Sequence, residues 1–382
     1  MRVGVLKERF PGERRVALVP SHVGSLTKLG AEVMIETGAG EAAGFADAAY
    51  EEKGASIVDR ARVLGEADAV LTVRTAAADV QTFGEDVSAM KEGQIVIGYA
   101  EPYAPSEAFK QALDKRVSVF SMELMPRITR AQSMDSLSSM ANLAGYKAVL
   151  LAANHLPKMF PMMMTAAGTI VAAKAFIVGV GVAGLQAIAT AKRLGAVVSA
   201  YDIRPAVKDQ VKSLGAKFVE LDLDTGDSEG TGGYAKEMGE DFYRKQREKM
   251  LEVIAESDVV ITTANVPGKK APTLVTEEMV EAMPTGSVLV DLAAERGGNC
   301  ELTESGKTVD KHGVTIIGPE NVPSMLAENA STLYSKNITT FFATMANEGA
   351  IDIDYEDEII STTMVTRDGT VPNGDLKERL GL

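Results

Sequence analysis

The sequence predicts an α/β protein with two Rossmann-like, doubly wound domains, whose mainly parallel sheets are joined by long helices. Three observations favour this class. Short β-branched runs alternate with helical patterns, as in sheets covered by helices on both faces. The tripeptide Leu-Gly-Ala recurs at 29–31, 194–196 and 214–216, as expected where a glycine ends a helix before a strand. Residues 174–202 have the pattern of a strand, a glycine turn, a helix and a second strand.

Bulk composition narrows the class further. The 382 residues suffice for two domains of ordinary size, and the net charge of −14 argues against nucleic acid or an anionic membrane surface as a direct partner. The one cysteine, Cys300, excludes an intrachain disulfide and fits a reducing compartment. The N-terminus lacks the features of a signal peptide. Glycines interrupt the nearly uncharged stretch 160–191, so we expect a buried strand and a buried helix there rather than a membrane span.

The first domain is predicted to comprise residues 1–136 and 330–382. Its candidate strands lie at 2–5, 32–36, 56–58, 69–73, 94–99 and 118–121, with helical patterns near 21–29, 61–64, 86–90 and 106–114. Right-handed crossovers should connect these strands in one parallel sheet. The chain becomes helical again around 331–345, and Asp368-Gly369 near the C-terminus is a hairpin signal.

The second domain, residues 137–329, is predicted to bind a dinucleotide. Its six candidate strands begin at residue 174 and continue at 197–201, 217–219, 259–262, 287–291 and 314–317. Gly179, Gly181 and Gly184 form G-x-G-x-x-G after the first strand. The first glycine permits a sharp turn, the second lets the backbone approach a pyrophosphate, and the third lets the helix pack on the strand. The helix N-terminus then offers free N–H groups to the phosphates.

Asp202 stands at the end of the second strand of this domain. A carboxylate there can accept hydrogen bonds from a ribose 2′-hydroxyl and repel a 2′-phosphate, which favours NAD(H) over NADP(H). Arg204 is a contrary signal, because an arginine at this place could suit a 2′-phosphate. The alternative is a structural glycine turn without a ligand. The candidate cofactor-binding residues of this domain are Gly179, Val180, Gly181, Val182, Gly184, Asp202, Ile203, Arg204, Gly232, Tyr234, Gln246 and Asn265.

A polar, glycine-rich segment follows the third strand. Residues 222–233 form either a solvated loop or a mobile lid over the cofactor, with Tyr234 at its hinge. The composition of the segment is compatible with both structures, so both stay open.

Residues 125–146 come shortly before the glycine turn and should begin a long helix near Ser133. Asp135 and Ser138 then share one polar face of that helix. Such a cluster at a domain junction suits a ligand cleft, whereas a capped interdomain helix with a solvated face is the alternative. The candidate residues of this junction stretch are Arg127, Gln132, Ser133, Asp135 and Ser138.

Several long motifs are specific enough to indicate a family. They are KERFPGERRVAL at 7–18, RAQSMDSLSSMANLAGYKAV at 130–149, FPMMMTAAGTI at 160–170, VGVGVAGLQAIATAKRLGA at 178–196, GGYAKEMGE at 232–240, PGKKAP at 267–272 and VTRDG at 365–369. These motifs closely resemble domain I of the proton-translocating NAD(P) transhydrogenases, within the alanine dehydrogenase/transhydrogenase superfamily. Nearly the whole chain is covered. It looks like the soluble, NAD(H)-binding portion of the alpha subunit.

The resemblance implies a function that requires partners. Hydride would pass directly from NADH on this chain to NADP⁺ on a separate domain of the beta subunit, and a membrane domain would couple the transfer to proton translocation. The enzyme would be a Re/Si-specific transhydrogenase, catalytic only with its partner subunit. The chain would form a homodimer in the cytoplasm, peripheral to the inner membrane through the partner subunits. The residues implied to lie at the nicotinamide, as candidate catalytic residues, are Arg127, Gln132, Asp135 and Ser138, and Tyr234 would belong to a closing loop.

Two departures from the family pattern leave rival functions open. Met140 stands where the family usually has glutamine, and Thr72 stands where relatives usually have lysine in a V-x-K-V pattern. An alanine dehydrogenase-like enzyme would use an arginine, a lysine and a histidine in the N-terminal cleft. Arg15 matches the arginine, but the lysine position looks like Thr72 and the histidine position falls near Glu101, a set that suits acid–base chemistry poorly. The three histidines show no metal-ligand spacing, so no metal is expected. The other rival is a non-catalytic NAD-binding module.

Overall fold

The computed structural model describes residues 1–104, 106–220, 240–265 and 268–381, apart from the side chains of 240–243. The chain divides into two compact units: unit 1 contains Met1–Met140 and Ser324–Leu382, and unit 2 contains Ala141–Pro323. In the described ranges the strands form two seven-stranded, mainly parallel sheets and two small hairpins. The predicted α/β class with two Rossmann-like domains is therefore confirmed.

The amino-terminal part of unit 1 alternates strands with helices. All six predicted strands of this part are present, to within one residue at either end. They are β1 (Arg2–Val5), β2 (Glu32–Glu36), β3 (Ser56–Val58), β4 (Ala69–Arg74), β5 (Ile95–Tyr99) and β6 (Ser118–Ser121). The α-helices are α1 (Val23–Thr27), α2 (Asp47–Glu51), α3 (Arg60–Glu66), α4 (Val80–Ala89) and α5 (Glu107–Asp114). Short 3-10 helices cover Pro20–His22, Glu41–Ala43, Ala76–Asp79, Met122–Leu124 and Thr129–Met134.

Helix α6 (Ser136–His155) contains the boundary between the two units. The remaining strands of unit 2 are β7 (Met163–Thr165), β8 (Gly168–Ile170), β9 (Lys174–Val178), β10 (Val197–Tyr201), β11 (Lys217–Phe218), β12 (Val259–Thr262), β13 (Val288–Asp291), β14 (Thr308–Lys311) and β15 (Val314–Ile317). Its helices are α7 (Val182–Arg193), α8 (Lys208–Ser213), α9 (Glu240–Ile254) and α10 (Glu277–Glu281), with 3-10 helices at Pro205–Val207, Ala294–Arg296 and Val322–Leu326.

The carboxyl-terminal elements return to unit 1. They are α11 (Ala327–Phe342), a 3-10 helix (Ala343–Met345), β16 (Ala346–Asn347), β17 (Ala350–Ile351), α12 (Glu358–Thr363), β18 (Met364–Thr366) and α13 (Gly374–Leu380). The hairpin signal Asp368-Gly369 is confirmed, because both residues have positive φ angles of 48° and 75°. The flanking Arg367 and Thr370 exchange backbone hydrogen bonds of 2.9 and 2.8 Å.

Both sheets follow the strand order of a dinucleotide-binding fold. The order is β18-β6-β5-β4-β1-β2-β3 in unit 1 and β11-β10-β9-β12-β13-β15-β14 in unit 2. Only the edge strands β18 and β14 are antiparallel to their neighbours; without them each sheet reads 3-2-1-4-5-6. In unit 2 the order therefore reverses between β9 and β12. Ligands of such sheets bind outside the carboxyl ends of the strands at this point.

Strand β9 shows why the sheet of unit 2 has continuous apolar runs. Ala175 and Ile177 face one hydrophobic core, and Phe176 and Val178 face a second core. A central parallel strand is covered on both faces, so every position along it is apolar. The three Leu-Gly-Ala sequences also act as predicted: Gly30, Gly195 and Gly215 have φ angles of 79°, 91° and 73°. The alanine after each glycine donates its N–H to a carbonyl five residues earlier, which closes the helix end.

The structure corrects the expectation for residues 160–191. Strand β9 and helix α7 lie there, but β7 and β8 form a separate hairpin whose six residues are all exposed, with Met164 75% exposed. The apolar composition suggested burial, yet no neighbouring strand within unit 2 extends this two-stranded sheet. Strand β14 was not predicted, because its sequence TVDK lacks an apolar run. Among the helices of the described ranges, none combines the length and apolarity needed to cross a bilayer.

Candidate functional site

The glycine turn of unit 2 connects β9 to α7 at the carboxyl end of the sheet. Gly179 has a φ angle of 94°, a conformation that L side chains rarely adopt. Its carbonyl accepts a hydrogen bond of 3.0 Å from the Thr263 hydroxyl, which follows β12. A Cβ at Gly184 would lie 2.0 Å from the Gly179 oxygen. Turn and helix therefore approach so closely that the first and third glycines have no substitute.

Gly181 has a different reason to be glycine. It is the N-cap residue of α7, with ordinary angles (φ −79°, ψ −166°). A Cβ at this position would meet no heavy atom of the described residues within 4 Å. The space in front of the helix N-terminus is thus open to solvent, and Gly181 and Val182 are exposed there. This arrangement fits a bound pyrophosphate, because free N–H groups and the positive end of the helix dipole face an open cradle.

Helix α6 supports this turn from behind. A Cβ at Gly145 would lie 2.1 Å from the Ala183 carbonyl oxygen, so the backbones of α6 and α7 are in direct contact at this glycine. Gly145 lies within one of the family motifs, but no role was predicted for it. A signal was available, because a glycine inside a long helix indicates a close approach of another backbone.

Asp202, the predicted ribose ligand, directly follows β10 and is 8% exposed. One carboxylate oxygen accepts hydrogen bonds from the backbone N–H of Arg204 at 2.8 Å and from its Nε at 2.9 Å. The other oxygen accepts from the backbone N–H of Val180 at 2.7 Å and from Nη2 of Arg204 at 2.9 Å. The structure therefore brings the glycine turn, Asp202 and Arg204 together in one hydrogen-bonded group.

Gln246 lies on α9 beneath this group. It is 2% exposed, and its Nε2 donates a hydrogen bond of 2.8 Å to the hydroxyl of Tyr201, the last residue of β10. Within the described part of the chain, its Oε1 accepts no hydrogen bond. Ile203 is buried beside Asp202. Gln246 is thus placed to support the end of β10 rather than to present its amide to solvent.

Asn265 is exposed on the loop after β12. Behind it, the buried Asn299 accepts from the N–H of Ala264 at 3.0 Å and donates to the carbonyls of Ala264 and Pro272, both at 2.8 Å. Asp291, fully buried at the end of β13, accepts from Thr262, Thr303 and three backbone N–H groups. This network fixes the loop at the sheet edge. It was not predicted from the sequence, although an acidic residue that ends a buried strand was a usable signal.

The junction residues that precede residue 140 belong to unit 1. Asp135 is the residue before α6, where it accepts from the N–H of Ser138 at 2.9 Å and from its hydroxyl at 2.5 Å. This is the helix-capping contact that the alternative interpretation predicted. Helix α6 begins at Ser136 rather than near Ser133, because Thr129–Met134 forms a 3-10 helix.

That 3-10 helix is fixed at two places within unit 1. The side-chain amide of Asn337 donates to the Ser133 carbonyl at 2.9 Å, and Arg130 forms a 2.5 Å ion pair with Asp357. Gln132 and Ser133 are exposed between these anchors, as is Arg127 shortly before them. Their side chains therefore lie on a held segment of backbone at the surface of unit 1. Gly232 and Tyr234 lie outside the described residues.

The N-terminal cleft of unit 1 contains a buried ion pair. Arg15 is 4% exposed and donates to both oxygens of Glu13, from Nε at 2.8 Å and from Nη2 at 2.7 Å. Burial alone would raise the pKa of Glu13, but the hydrogen bonds and charge of Arg15 outweigh it and lower that pKa to about 2. Arg74 adds a third contact to Glu13 at 3.1 Å. The arginine that matches the amino-acid dehydrogenases is therefore already engaged by a carboxylate.

Thr72 and Glu101 supply no acid–base pair in this cleft. The Thr72 hydroxyl is buried and donates to the Ile97 carbonyl at 3.3 Å. The N–H of Glu101 donates to the carboxylate of Glu123 at 2.9 Å. The cation that this strand contributes is Arg74, two residues beyond the position considered from the sequence. In the part of the chain that the structure describes, no group of three or more His, Cys, Asp or Glu residues could hold a metal ion.

Comparison with known proteins assigns the chain to a family. A profile described as Alanine dehydrogenase/PNT, N-terminal domain matches residues 4–144, and one described as Alanine dehydrogenase/PNT, C-terminal domain matches residues 148–374. The chain therefore belongs to the alanine dehydrogenase/PNT family. Within that family it is 49% identical over 376 residues to the first of the two polypeptides named as NAD(P) transhydrogenase subunit alpha in Rhodospirillum rubrum, with 97% of each chain covered.

Two further relatives separate the branches of the family. The crystal structure of transhydrogenase from Sinorhizobium meliloti superimposes with a TM-score of 0.86 and 47% identity, covering 97% of this chain and 100% of that one. Alanine dehydrogenase of Bacillus subtilis is 30% identical over 390 residues, covering 100% of this chain and 95% of that one. The predicted resemblance to the transhydrogenase alpha subunit is thus confirmed.

Proposed function

We propose that this chain is the NAD(H)-binding component of a proton-translocating NAD(P) transhydrogenase. Its 49% identity to the Rhodospirillum rubrum transhydrogenase alpha polypeptide, over 97% of both chains, carries the proposal. The geometry of unit 2 supports it, because an open, glycine-lined cradle lies beside the Asp202 carboxylate at the reversal point of the sheet. Bound NADH would supply the hydride, and NADP⁺ would be held by a separate domain of the beta subunit.

The two units would bind different parts of the cofactor. Gly179, Gly181 and the start of α7, with Val180 and Val182, hold the pyrophosphate through backbone N–H groups. Asp202 accepts from the adenosine ribose, beside Ile203 and Arg204. The residues that orient the nicotinamide are Arg127, Gln132, Ser133, Asp135 and Ser138. Asn265 lines the far edge of the site, Gln246 supports β10, and the segment with Gly232 and Tyr234 closes over the cofactor.

Direct hydride transfer makes modest chemical demands on the protein. It needs the two reacting carbons close together and water excluded, but it needs no general acid or base. Neutral polar groups such as Gln132 and Ser138 can fix the ring and its carboxamide without exchanging protons. The capping bond from Ser138 to Asp135 keeps that hydroxyl in one orientation. An alanine dehydrogenase would need an available arginine and a proton acceptor, yet Arg15 is saturated by Glu13 and Thr72 is buried.

The chain acts as a homodimer beside the membrane. The hairpin β7–β8 supports this, because Met162, Met164 and Val171 are 61%, 75% and 64% exposed in unit 2. An isolated two-stranded hairpin is marginal in water, and clustered exposed apolar side chains mark protein contacts. A second copy covers this hairpin. The dimer is cytoplasmic and peripheral to the inner membrane, where the beta subunit and the membrane domain hold it and couple hydride transfer to proton movement, with the Re/Si stereochemistry that the resemblance implies.

The decisive experiment mixes the purified chain with NADH and an NADP⁺-loaded beta-subunit domain in a rapid-mixing device. Oxidation of NADH on mixing, with matching formation of NADPH, is expected. Omission of either component is the control, and the reaction should then stop. Turnover of alanine or lysine with NAD⁺ by the chain alone would contradict the proposal and indicate an amino-acid dehydrogenase. Tight NADH binding without turnover in both assays would instead indicate a non-catalytic binding module.

A further inference from the structure

We propose that Arg204 is the second half of the device that selects NAD(H) over NADP(H): Asp202 both faces the ribose and sequesters a guanidinium that would otherwise bind a 2′-phosphate. This inference rests on the proposed NAD(H)-binding function and goes further, because it assigns the cofactor specificity to a pair of residues. A carboxylate alone would act only by repulsion. The pair acts by repulsion and by withdrawal of the competing cation.

The hydrogen-bonding capacity of Asp202 is already filled. An ionised carboxylate has about four acceptor positions, and each oxygen of Asp202 takes two donors. Two of these donors are backbone N–H groups, of Val180 and Arg204, which the turn and the strand end hold in place. The other two belong to the Arg204 guanidinium. A ribose hydroxyl can therefore reach Asp202 only where a guanidinium N–H gives way.

Arg204 is held firmly in this arrangement. Its side chain is 14% exposed and that of Asp202 is 6% exposed, so water competes little for this ion pair. The contact is bidentate, which is the strong form of a charge-assisted hydrogen bond. Nη2 also donates to the Val180 carbonyl at 3.3 Å. Arg204 is thus bound to Asp202 and to the glycine turn together.

The chemistry of the guanidinium gives this pairing its consequence for specificity. A guanidinium is planar, always charged and suited to bidentate recognition of phosphate, and an arginine near this strand end is what accommodates the 2′-phosphate of NADP(H) in this type of fold. The chain therefore carries a phosphate-binding group at the ribose position and neutralises it in place. Removal of the Asp202 charge should expose that group. Removal of both charges should leave no phosphate ligand there.

The test is a set of four proteins: the wild-type chain, Asp202→Asn, Arg204→Gln and the double variant. Dissociation constants for NADH and NADPH are measured by titration without the partner subunit, so no turnover is involved. We expect Asp202→Asn to bind NADPH at least about tenfold more tightly than wild type. The double variant should lose that gain, and Arg204→Gln alone should show none. The gain should also shrink with added salt, because it depends on a charge contact with phosphate.

Adenosine 2′,5′-bisphosphate and 5′-AMP provide a matched pair of probes, since they differ only in the 2′-phosphate. Asp202→Asn should improve binding of the bisphosphate alone. An unchanged NADPH affinity in Asp202→Asn, or a gain that persists in the double variant, would overturn the proposal. If Asp202→Asn does not fold, Asp202→Ser with and without Arg204→Gln makes the same comparison. Failure of the wild-type chain to bind NADH would refute the proposed function itself, whereas NADH binding without an Arg204-dependent gain refutes the specificity device alone.

Discussion

Replacement of Gly184 by alanine tests whether the turn after β9 is built as the structure indicates. The new Cβ would lie 2.0 Å from the Gly179 oxygen and 2.9 Å from its carbonyl carbon. Contacts this short do not persist, so α7 must move away from the turn. Overpacking of a close-packed site costs about 1–3 kcal/mol. For a unit of this size, we expect the midpoint of thermal unfolding to fall by roughly 2–4 °C per kcal/mol.

Gly181→Ala is the matched control, because its Cβ would meet no described atom within 4 Å and its φ angle suits alanine. It should unfold close to the wild-type temperature, yet its methyl group should occupy the cradle and weaken NADH binding. Thermal unfolding and NADH titration separate the two variants. Wild-type stability of Gly184→Ala would refute the described contact between turn and helix. Wild-type NADH affinity of Gly181→Ala would refute the cradle as the pyrophosphate site.

Three further predictions concern other parts of the chain. Gln132→Asn should slow hydride transfer far more than it weakens NADH binding, as expected of a positioning residue; equal losses in single-turnover and titration experiments would contradict this role. Burial and the nearby Glu13 raise the pKa of Glu8 to about 8 from a usual value of 4.5. The native state then holds a proton that the unfolded state has lost, so stability should fall from pH 4.5 to 8 by at most roughly 1.4 kcal/mol per pH unit. Denaturant titrations of Glu8→Gln should show this slope reduced, and an unchanged slope would argue against it. Met164→Lys should shift the chain from dimer to monomer in sedimentation experiments, whereas the exposed Val197→Lys should leave the dimer intact, and equal effects would exclude the hairpin as the interface.

The strands were predictable because their signal is local. A central parallel strand such as β9 must be apolar on both faces, and a glycine must follow a helix that ends in the left-handed conformation. Both requirements act within a few residues, so they are visible in the sequence. The exposed hairpin β7–β8 was missed because its apolar residues have the composition of a buried strand. Only the arrangement of neighbouring strands decides whether such a segment is covered.

The candidate site divides in the same way. Gly179, Gly181 and Gly184 indicated a dinucleotide turn, because their spacing reflects steric limits within a short piece of chain. The start of α6 was placed too early, since capping by Asp135 and a 3-10 helix before it are settled by contacts with Asn337 and other elements of unit 1. The pairing of Arg15 with Glu13 depends on burial, which no local pattern records.

The sequence by itself determined that a dinucleotide turn precedes an acidic strand end, since both follow from short-range geometry. Only the tertiary structure decided what that acid contacts. Val180 and Asp202 are 22 residues apart, yet parallel pairing of β9 and β10 brings the Val180 nitrogen to 2.7 Å from the carboxylate. The same strand end places Arg204 against the carboxylate, so a residue that read as a contrary signal becomes its partner. Sheet pairing sets such contacts, because it joins chain segments whose sequences carry no record of each other.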